Sequence, residues 1–474
     1  MRSCWQAVGS KMRRCWAVGL AAAILFLVVD SVAFAAVELQ AGTAKGVITP
    51  DEPLTLVTGK IPTGKIHDIY ARVLTLNDGA GRLVFITYDL NCLDVATPIL
   101  RKRCRDELKI DPARLILLAT HNHAAPIQIV PDNFAFGRQL ADKLFAMIQE
   151  AIAAERGPVK VEFVVGPAYF VRTVGNAPAD YDLQLLKVTR GNDLVACLFT
   201  FPTHPMQSSE TLIDTGHPGY ALDELERQFP DMLPMYADSC GGNQFPDRGL
   251  IMSGTPQQVQ QLGHELATAV VGLLKKPAQD VTGPLKSSID ILSLPLAPPL
   301  SLEEAEKLAA EKKVPLDAGI VPYPHPDRGT NWIRVLLRHH REKLPFPKRT
   351  TDRVCTDDEF MVFKLDEPRE FPCKFEEVIT SRIGPMLFIA MQGEVCAPIG
   401  MRIKDAFRRS GPAMVTAYMG EHNLYIPTRE LVRLDAYQAQ VIKIQYASPV
   451  GWAPEVEDEM VKGVIELGKK MLKD

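Results

Sequence analysis

The sequence predicts an α/β fold in a single large body, with mixed, largely buried sheets between flanking helices. Three observations point there. Short apolar runs alternate with amphipathic stretches of helical period. The runs are nearly continuous in apolar residues, as in strands covered on both faces. Side chains of metal-ligand type stand at the ends of these runs, from His121 to Glu394, so the N-terminal and C-terminal parts must meet.

The elements follow in order. Arg2, Lys11, Arg13 and Arg14 precede an apolar run of 14 residues, Trp16 to Val29, and then Ala33-Phe34-Ala35. A basic start, an apolar middle and an A-x-A exit predict a secretory signal peptide, residues 1–36, cleaved near Ala35 or Ala36. The run falls short of the roughly 20 residues that span a membrane. Residues 37–474 are then the exported body, periplasmic or extracellular.

Within that body, Leu83–Leu90, Arg114–Ala119, Val159–Val165, Leu194–Phe201 and Leu233–Ala237 read as strands. Ala96–Lys109 reads as a helix opening after Asp94. Phe136–Ala154 carries Leu140, Leu144, Ile148 and Ile152 at i+4 spacing, one apolar stripe for packing. Pro256–Lys276 and Pro454–Leu472 carry similar stripes. Residues 301–373 are polar and rich in proline, an excursion with two helices, Leu302–Lys313 and Trp332–Lys343. The chain returns with a strand-like run, Glu377–Met391.

The composition, 46% hydrophobic and 23% charged over 474 residues, excludes collagen, a coiled coil and a mostly disordered chain. With 53 basic and 57 acidic residues the formal charge is −4; loss of the leader's four basic groups and one acid takes it to −7. That balance argues against a nucleic-acid partner, which calls for a basic excess. Of nine cysteines, Cys92, Cys104, Cys197, Cys240, Cys355, Cys373 and Cys396 remain in the mature chain, an odd number. Cys197 and Cys396 read as small buried hydrophobes, and Cys355 and Cys373 flank a charged loop as a candidate disulfide pair. No CxxC pair suggests a zinc knuckle or redox motif.

The chemistry gathers at three strand ends. Ala119-Thr120-His121-Asn122-His123 follows one apolar strand, and residues i and i+2 share a face. Thr203-His204-Pro205 follows a second, and Gln392-Gly393-Glu394 a third. Two histidines and a carboxylate suit zinc or another borderline divalent ion with one position open. Tyr425 is a fourth candidate, although by chemistry alone it reads as a packed core tyrosine.

These residues resemble the N-terminal catalytic domain of the neutral, non-lysosomal ceramidases. Ala41-Gly42-Thr43-Ala44-Lys45-Gly46-Val47-Ile48-Thr49-Pro50 is similar to that family's opening, and Ile66 to Arg72 to its IHD-x-x-YAR segment. Tyr88-Asp89-Leu90, Ala119 to His123, Thr203-His204-Pro205, Pro218-Gly219-Tyr220, Gln392-Gly393-Glu394 and Tyr425-Ile426-Pro427-Thr428 resemble its later motifs in the same order. The resemblance implies a secreted zinc hydrolase that cleaves an N-acyl amide of a small or lipid-like substrate, with peripheral contact to membranes. It implies zinc on His121, His204, Glu394 and Tyr425, with His123 and Tyr437 facing the scissile amide.

The sequence also departs from that pattern. Gly242-Asn243-Gln244-Phe245-Pro246-Asp247 places Phe245 where the family carries a serine. The H-x-H loop continues Ala124-Ala125-Pro126 in place of Ser-Gly-Pro, and a Y-x-x-Y is reduced to His422 and Tyr425. The chain runs only to Asp474, so no C-terminal immunoglobulin-like domain is expected. Two alternatives therefore stand beside amide cleavage in a ceramide-like substrate: hydrolysis of another amide or ester on the same scaffold, or an exported binding protein that keeps the metal.

Other candidates read as support. Asp89 and Asp238, at strand ends, are expected to orient a metal-bound histidine. His67 and Asp68 read as turn residues bonding backbone, and His217 as a pocket residue or a cap for a helix Gly219–Phe229. His339 and His340 read as a solvated basic face.

Overall fold

The computed structural model describes residues 38–248, 254–317, 319–321, 325–350, 376–421 and 424–473. The expected signal peptide, the Cys355 and Cys373 pair and His422 lie outside the described residues.

Three main sheets carry the chain. In the first, Gln40–Val47, Tyr70–Asn77 and Arg82–Tyr88 run antiparallel and Leu115–Ala119 joins Arg82–Tyr88 in parallel. In the second, the order is Leu233–Asp238, Asp193–Phe201, Asp182–Arg190, Lys160–Pro167 and Gln279–Asp280; only the first pair is parallel. In the third, Leu285–Leu292, Glu376–Ile383 and Met386–Met391 are antiparallel and Ala413–Thr416 pairs in parallel with Met386–Met391. Each sheet thus contains one parallel pair, as a mixed α/β fold implies.

The parallel pairs point their C-terminal ends at one region. Leu118 bridges to Met419, Ala417 N donates to Asp238 O at 3.2 Å, and Met419 N donates to Met391 O at 3.1 Å. Strand ends of all three sheets therefore meet, at the kind of position where α/β sheets carry functional side chains.

Helices cover the sheets for reasons visible in the sequence. Pro256–Leu274 opens with a capping box, Thr255 with Gln258, and buries Val259, Leu262, Leu266 and Val270 on one face. Phe134–Ala153 buries Leu140, Leu144 and Ile148, with Ile152 at the rim of the core. It lies directly on Gln40–Val47: a Cβ on Gly42 would stand 1.9 Å from Ala151 O, so only glycine admits the contact. Each fully buried Leu or Ile contributes about 1.5–3 kcal/mol.

The described part of 301–373 forms a small cluster of its own. Leu302–Glu311 and Asn331–Arg341 pack through Ala305, Ala309, Trp332, Ile333, Leu336 and Leu337. Two expectations are corrected here. Glu377–Met391 is not one strand but two, because Gly384 adopts φ 52° ahead of Pro385 and turns the chain into a hairpin. His339 is not on a solvated face: it is buried, and its ring lies against Phe346. No described helix is long and apolar enough to cross a membrane.

Candidate metal centre

His121 stands two residues beyond Leu115–Ala119, in a left-handed conformation with φ 56°. Such backbone in a non-glycine residue costs on the order of 1–2 kcal/mol and tends to sit at functional sites. Asn122 holds it there: its side-chain amide donates to the carbonyls of Asp89 at 3.0 Å and Asp214 at 2.6 Å, and Ala124 N donates to its Oδ1. His121 Nδ1 faces Asn91, 3.4 Å from the backbone carbonyl and 3.0 Å from the side-chain amide. The carbonyl takes a proton from Nδ1 and the closer amide gives one to it, so the two contacts belong to opposite tautomers; only the carbonyl contact leaves Nε2 with a lone pair for a metal.

His204 follows Asp193–Phe201. Its Nδ1 donates to Gly241 O at 2.8 Å, which leaves Nε2 as the acceptor. Glu394 follows Gly393, whose φ of 98° suits glycine; a Cβ there would stand 2.9 Å from Glu376 Oε2. Glu394 and Tyr425 are then partners in a two-residue parallel pairing, Glu394–Val395 with Tyr425–Ile426.

The four side chains converge. Glu394 Oε2 lies 3.2 Å from His121 Nε2 and 3.1 Å from His204 Nε2, and Tyr425 Oη lies 2.9 Å from His204 Nε2. His123 adds its Nε2, 3.0 Å from that of His121. Among the described residues, His121, His123 and His204 form one group of possible ligands, with their ligand nitrogens within 4.8 Å of one another. His121 and His204 belong to this trio and to the set expected from the sequence.

The donor chemistry fits a divalent cation. Burial pushes the His121 imidazole down, against the pull of Glu394, which favours its neutral, ligating form. Burial alone would raise the Glu394 carboxyl, but His121 and then His204 hold it well below the usual carboxylate range. Burial, then the Glu394 charge, pushes the Tyr425 phenol well up. Several lone pairs thus crowd one buried point, where a bound cation relieves their repulsion.

Two rings wall the cluster. Phe245 stacks on His204, centroids 4.8 Å apart and planes at 25°. Tyr418 lies 4.2 Å from the His121 ring, and its buried hydroxyl has no hydrogen-bond partner among the described residues. Tyr437 stands further out. It begins the helix Tyr437–Ile444, is half exposed, and meets the cluster through the Tyr425 ring at 6.0 Å; its Oη accepts from Gln445 Nε2 at 2.7 Å.

Several supporting roles differ from expectation. The Asp89 carboxylate meets no histidine among the described residues; its Oδ2 pairs with Arg72 at 3.3 Å and accepts from Tyr70 N, because Arg72 faces it across the sheet. Asp238 caps the backbone N–H groups of Thr203 and Ser239, so it shapes the His204 loop. His217 lies inside the first turn of Gly216–Gln228, fully buried, where its Nδ1 accepts from Met206 N. His67 Nδ1 pairs with Asp214 at 3.0 Å and Asp68 with Lys65 and Thr49, side-chain partners throughout. Sequence reasoning missed Asn91 and Tyr418. Both follow strand ends, Arg82–Tyr88 and Ala413–Thr416, and that position was the available signal.

The same architecture is found among solved structures. A ceramidase complexed with C2 superposes with a TM-score of 0.68 at 15% identity, covering 92% of this chain and 76% of that one. The neutral ceramidase from Pseudomonas aeruginosa does so with a TM-score of 0.65 at 17% identity, covering 92% and 75%. The fold is ceramidase-like. No protein-family model matches the sequence, and no curated protein does.

Proposed function

We propose that this chain is an exported, zinc-dependent hydrolase that cleaves an N-acyl amide bond in a lipid-like substrate. The observation that carries the reading is the convergence of His121, His204, Glu394 and Tyr425 on one buried point, with His123 beside it. The ceramidase-like fold supports the amide class.

In this reading those four residues hold the zinc. A bound zinc supplies Lewis acidity toward a carbonyl and a water acidified toward neutral pH. The residues of the chain do the rest. His123, partly buried beside His121, accepts the proton of the attacking water and returns it to the leaving amine. Tyr437, at the outer edge, donates its hydroxyl hydrogen bond to the oxygen where negative charge develops. Phe245 and Tyr418 keep water from the ring faces of the two histidines, which strengthens every charge interaction inside.

A second reading is favoured by Phe245. An apolar ring beside His204 offers no donor or nucleophile, which suits another amide or an ester better than ceramide itself. Both readings are tested together. The purified protein is assayed for metal content and for cleavage of a panel of fluorogenic N-acyl amides and esters that includes a short-chain ceramide. About one zinc per chain, lost in His204→Ala, and amide cleavage are expected. Zinc content unaffected by that substitution sinks the metal assignment; bound zinc with no cleavage leaves an exported binding protein.

A further inference from the structure

His121 keeps its left-handed backbone, φ 56°, only if its surroundings hold the loop there. Asn122 does so through its side-chain amide, which donates to two backbone carbonyls, those of Asp89 and Asp214. Both aspartates are fully buried, and each carboxylate is anchored from one short segment, residues 66–72. Arg72 meets the Asp89 carboxylate at 3.3 Å, and His67 Nδ1 donates to Asp214 Oδ1 at 3.0 Å.

The His67 arm reaches the loop on both sides of His123. Asp214 O accepts from the Asn122 amide at 2.6 Å, and Asp214 N donates to Ala124 O at 3.1 Å. His67 and Asp214 stand just beyond a parallel pairing of two residues, Gly64–Lys65 with Leu212–Ile213. Ile66 N donates to Ile213 O at 2.7 Å beside them. The His67 and Tyr220 rings meet edge to face, centroids 4.7 Å apart. Asp214 Oδ1 also accepts from Thr215 N at 2.8 Å, while the buried Oδ2 has no partner among the described residues. A carboxylate removed from water depends on such donors, and among the described residues His67 supplies the side-chain one.

We propose that His67 is a positioning residue of the metal centre: by anchoring Asp214 it fixes the Asn122 amide, and with it the imidazoles of His121 and His123 on either side. The inference rests on the metal-centre reading and goes beyond it, because His67 is itself no ligand. Partners that orient a metal ligand commonly change affinity about 10–100-fold. His67 acts from further out, through Asp214 and Asn122, so a smaller effect is expected.

The test compares the full chain with two variants. His67→Phe keeps a ring against Tyr220 but loses the donor; His67→Asn puts a side-chain N–H near the place of Nδ1. Zinc affinity, read by competition with a chromophoric chelator, is expected to fall about two- to tenfold in His67→Phe, the range for one net hydrogen bond, and to recover in His67→Asn. Deuterium exchange of the peptide that carries residues 120–125 is expected to quicken in His67→Phe and to return toward wild type in His67→Asn. In an Asn122→Ala background, His67→Phe is expected to cost little more affinity, since both act through one amide. A His67→Phe protein with wild-type zinc affinity and loop exchange overturns the proposal, even where its urea midpoint falls. Equal losses in the Phe and Asn variants, or the full loss repeated in the Asn122→Ala background, overturn it as well. If the wild type holds no zinc, the metal reading falls and loop exchange decides alone: faster exchange in His67→Phe that His67→Asn restores supports the positioning role, and unchanged exchange overturns it.

Discussion

Glu394 and Tyr425 sit opposite one another in a parallel pairing only two residues long, and that pairing brings a carboxylate and a phenol to the same histidine, His204. Neither residue lies on one of the long strands. Their placement depends on Gly393 at one side and on Glu394 N donating to Leu424 O at 3.0 Å at the other.

Tyr425→Phe keeps the ring and removes only the oxygen beside His204 Nε2. Zinc affinity should fall about 10–100-fold, the range for losing a ligand-orienting or ligating group. Competition with a chromophoric chelator measures it. An unchanged affinity would place Tyr425 outside the metal's shell.

Gly393→Ala forces a side chain into the left-handed region and within 2.9 Å of Glu376 Oε2. A loss of about 1–3 kcal/mol is expected in urea unfolding. Metal binding should suffer with it, since the same backbone turn aims Glu394.

Phe245→Ala removes the ring stacked on His204. Aromatic stacking of about 0.5–1.5 kcal/mol corresponds to a two- to tenfold faster release of zinc. Stopped-flow chelation follows it directly. Phe245→Leu, which keeps an apolar cover, should recover part of the loss.

The Arg82 and Glu155 pair gives an acid-side dependence. Burial acts to raise the Glu155 carboxyl, but Arg82 and Asn77 bring it below its ordinary value. A depressed carboxyl stabilises the fold above the unfolded-state pKa, about 4.3, and that share is lost as pH falls through the folded value. Arg82→Ala should therefore cost about 1–3 kcal/mol near pH 7 and progressively less below pH 4. Urea midpoints across pH 3–7 check it; a constant gap would rule the linkage out.

The candidate site was legible where chemistry coincides with strand ends. Thr120-His121, Thr203-His204 and Gly393-Glu394 each follow an apolar run, and the structure brings the three together. What escaped was set by tertiary geometry. The pairing of Asp89 with Arg72 arises across neighbouring strands, so nothing near Asp89 in sequence announces it. Asn91 acts on His121 through a loop whose path no local pattern encodes. Gly384-Pro385 was a readable turn signal between two strand-like runs, Glu377–Ile383 and Met386–Met391. His339 looked solvated because Arg338 and Arg341 flank it, yet its own helical face turns inward.

The meeting of strand ends from three sheets also makes the donor cluster a property of nearly the whole chain. His204 and Tyr425 are 221 residues apart, and Glu394 precedes Tyr425 in the same late segment. A nascent or truncated chain that has only its first two sheets owns both histidines of the site but lacks the carboxylate and the phenol. The donor set is therefore complete only in a chain that has folded through Tyr425.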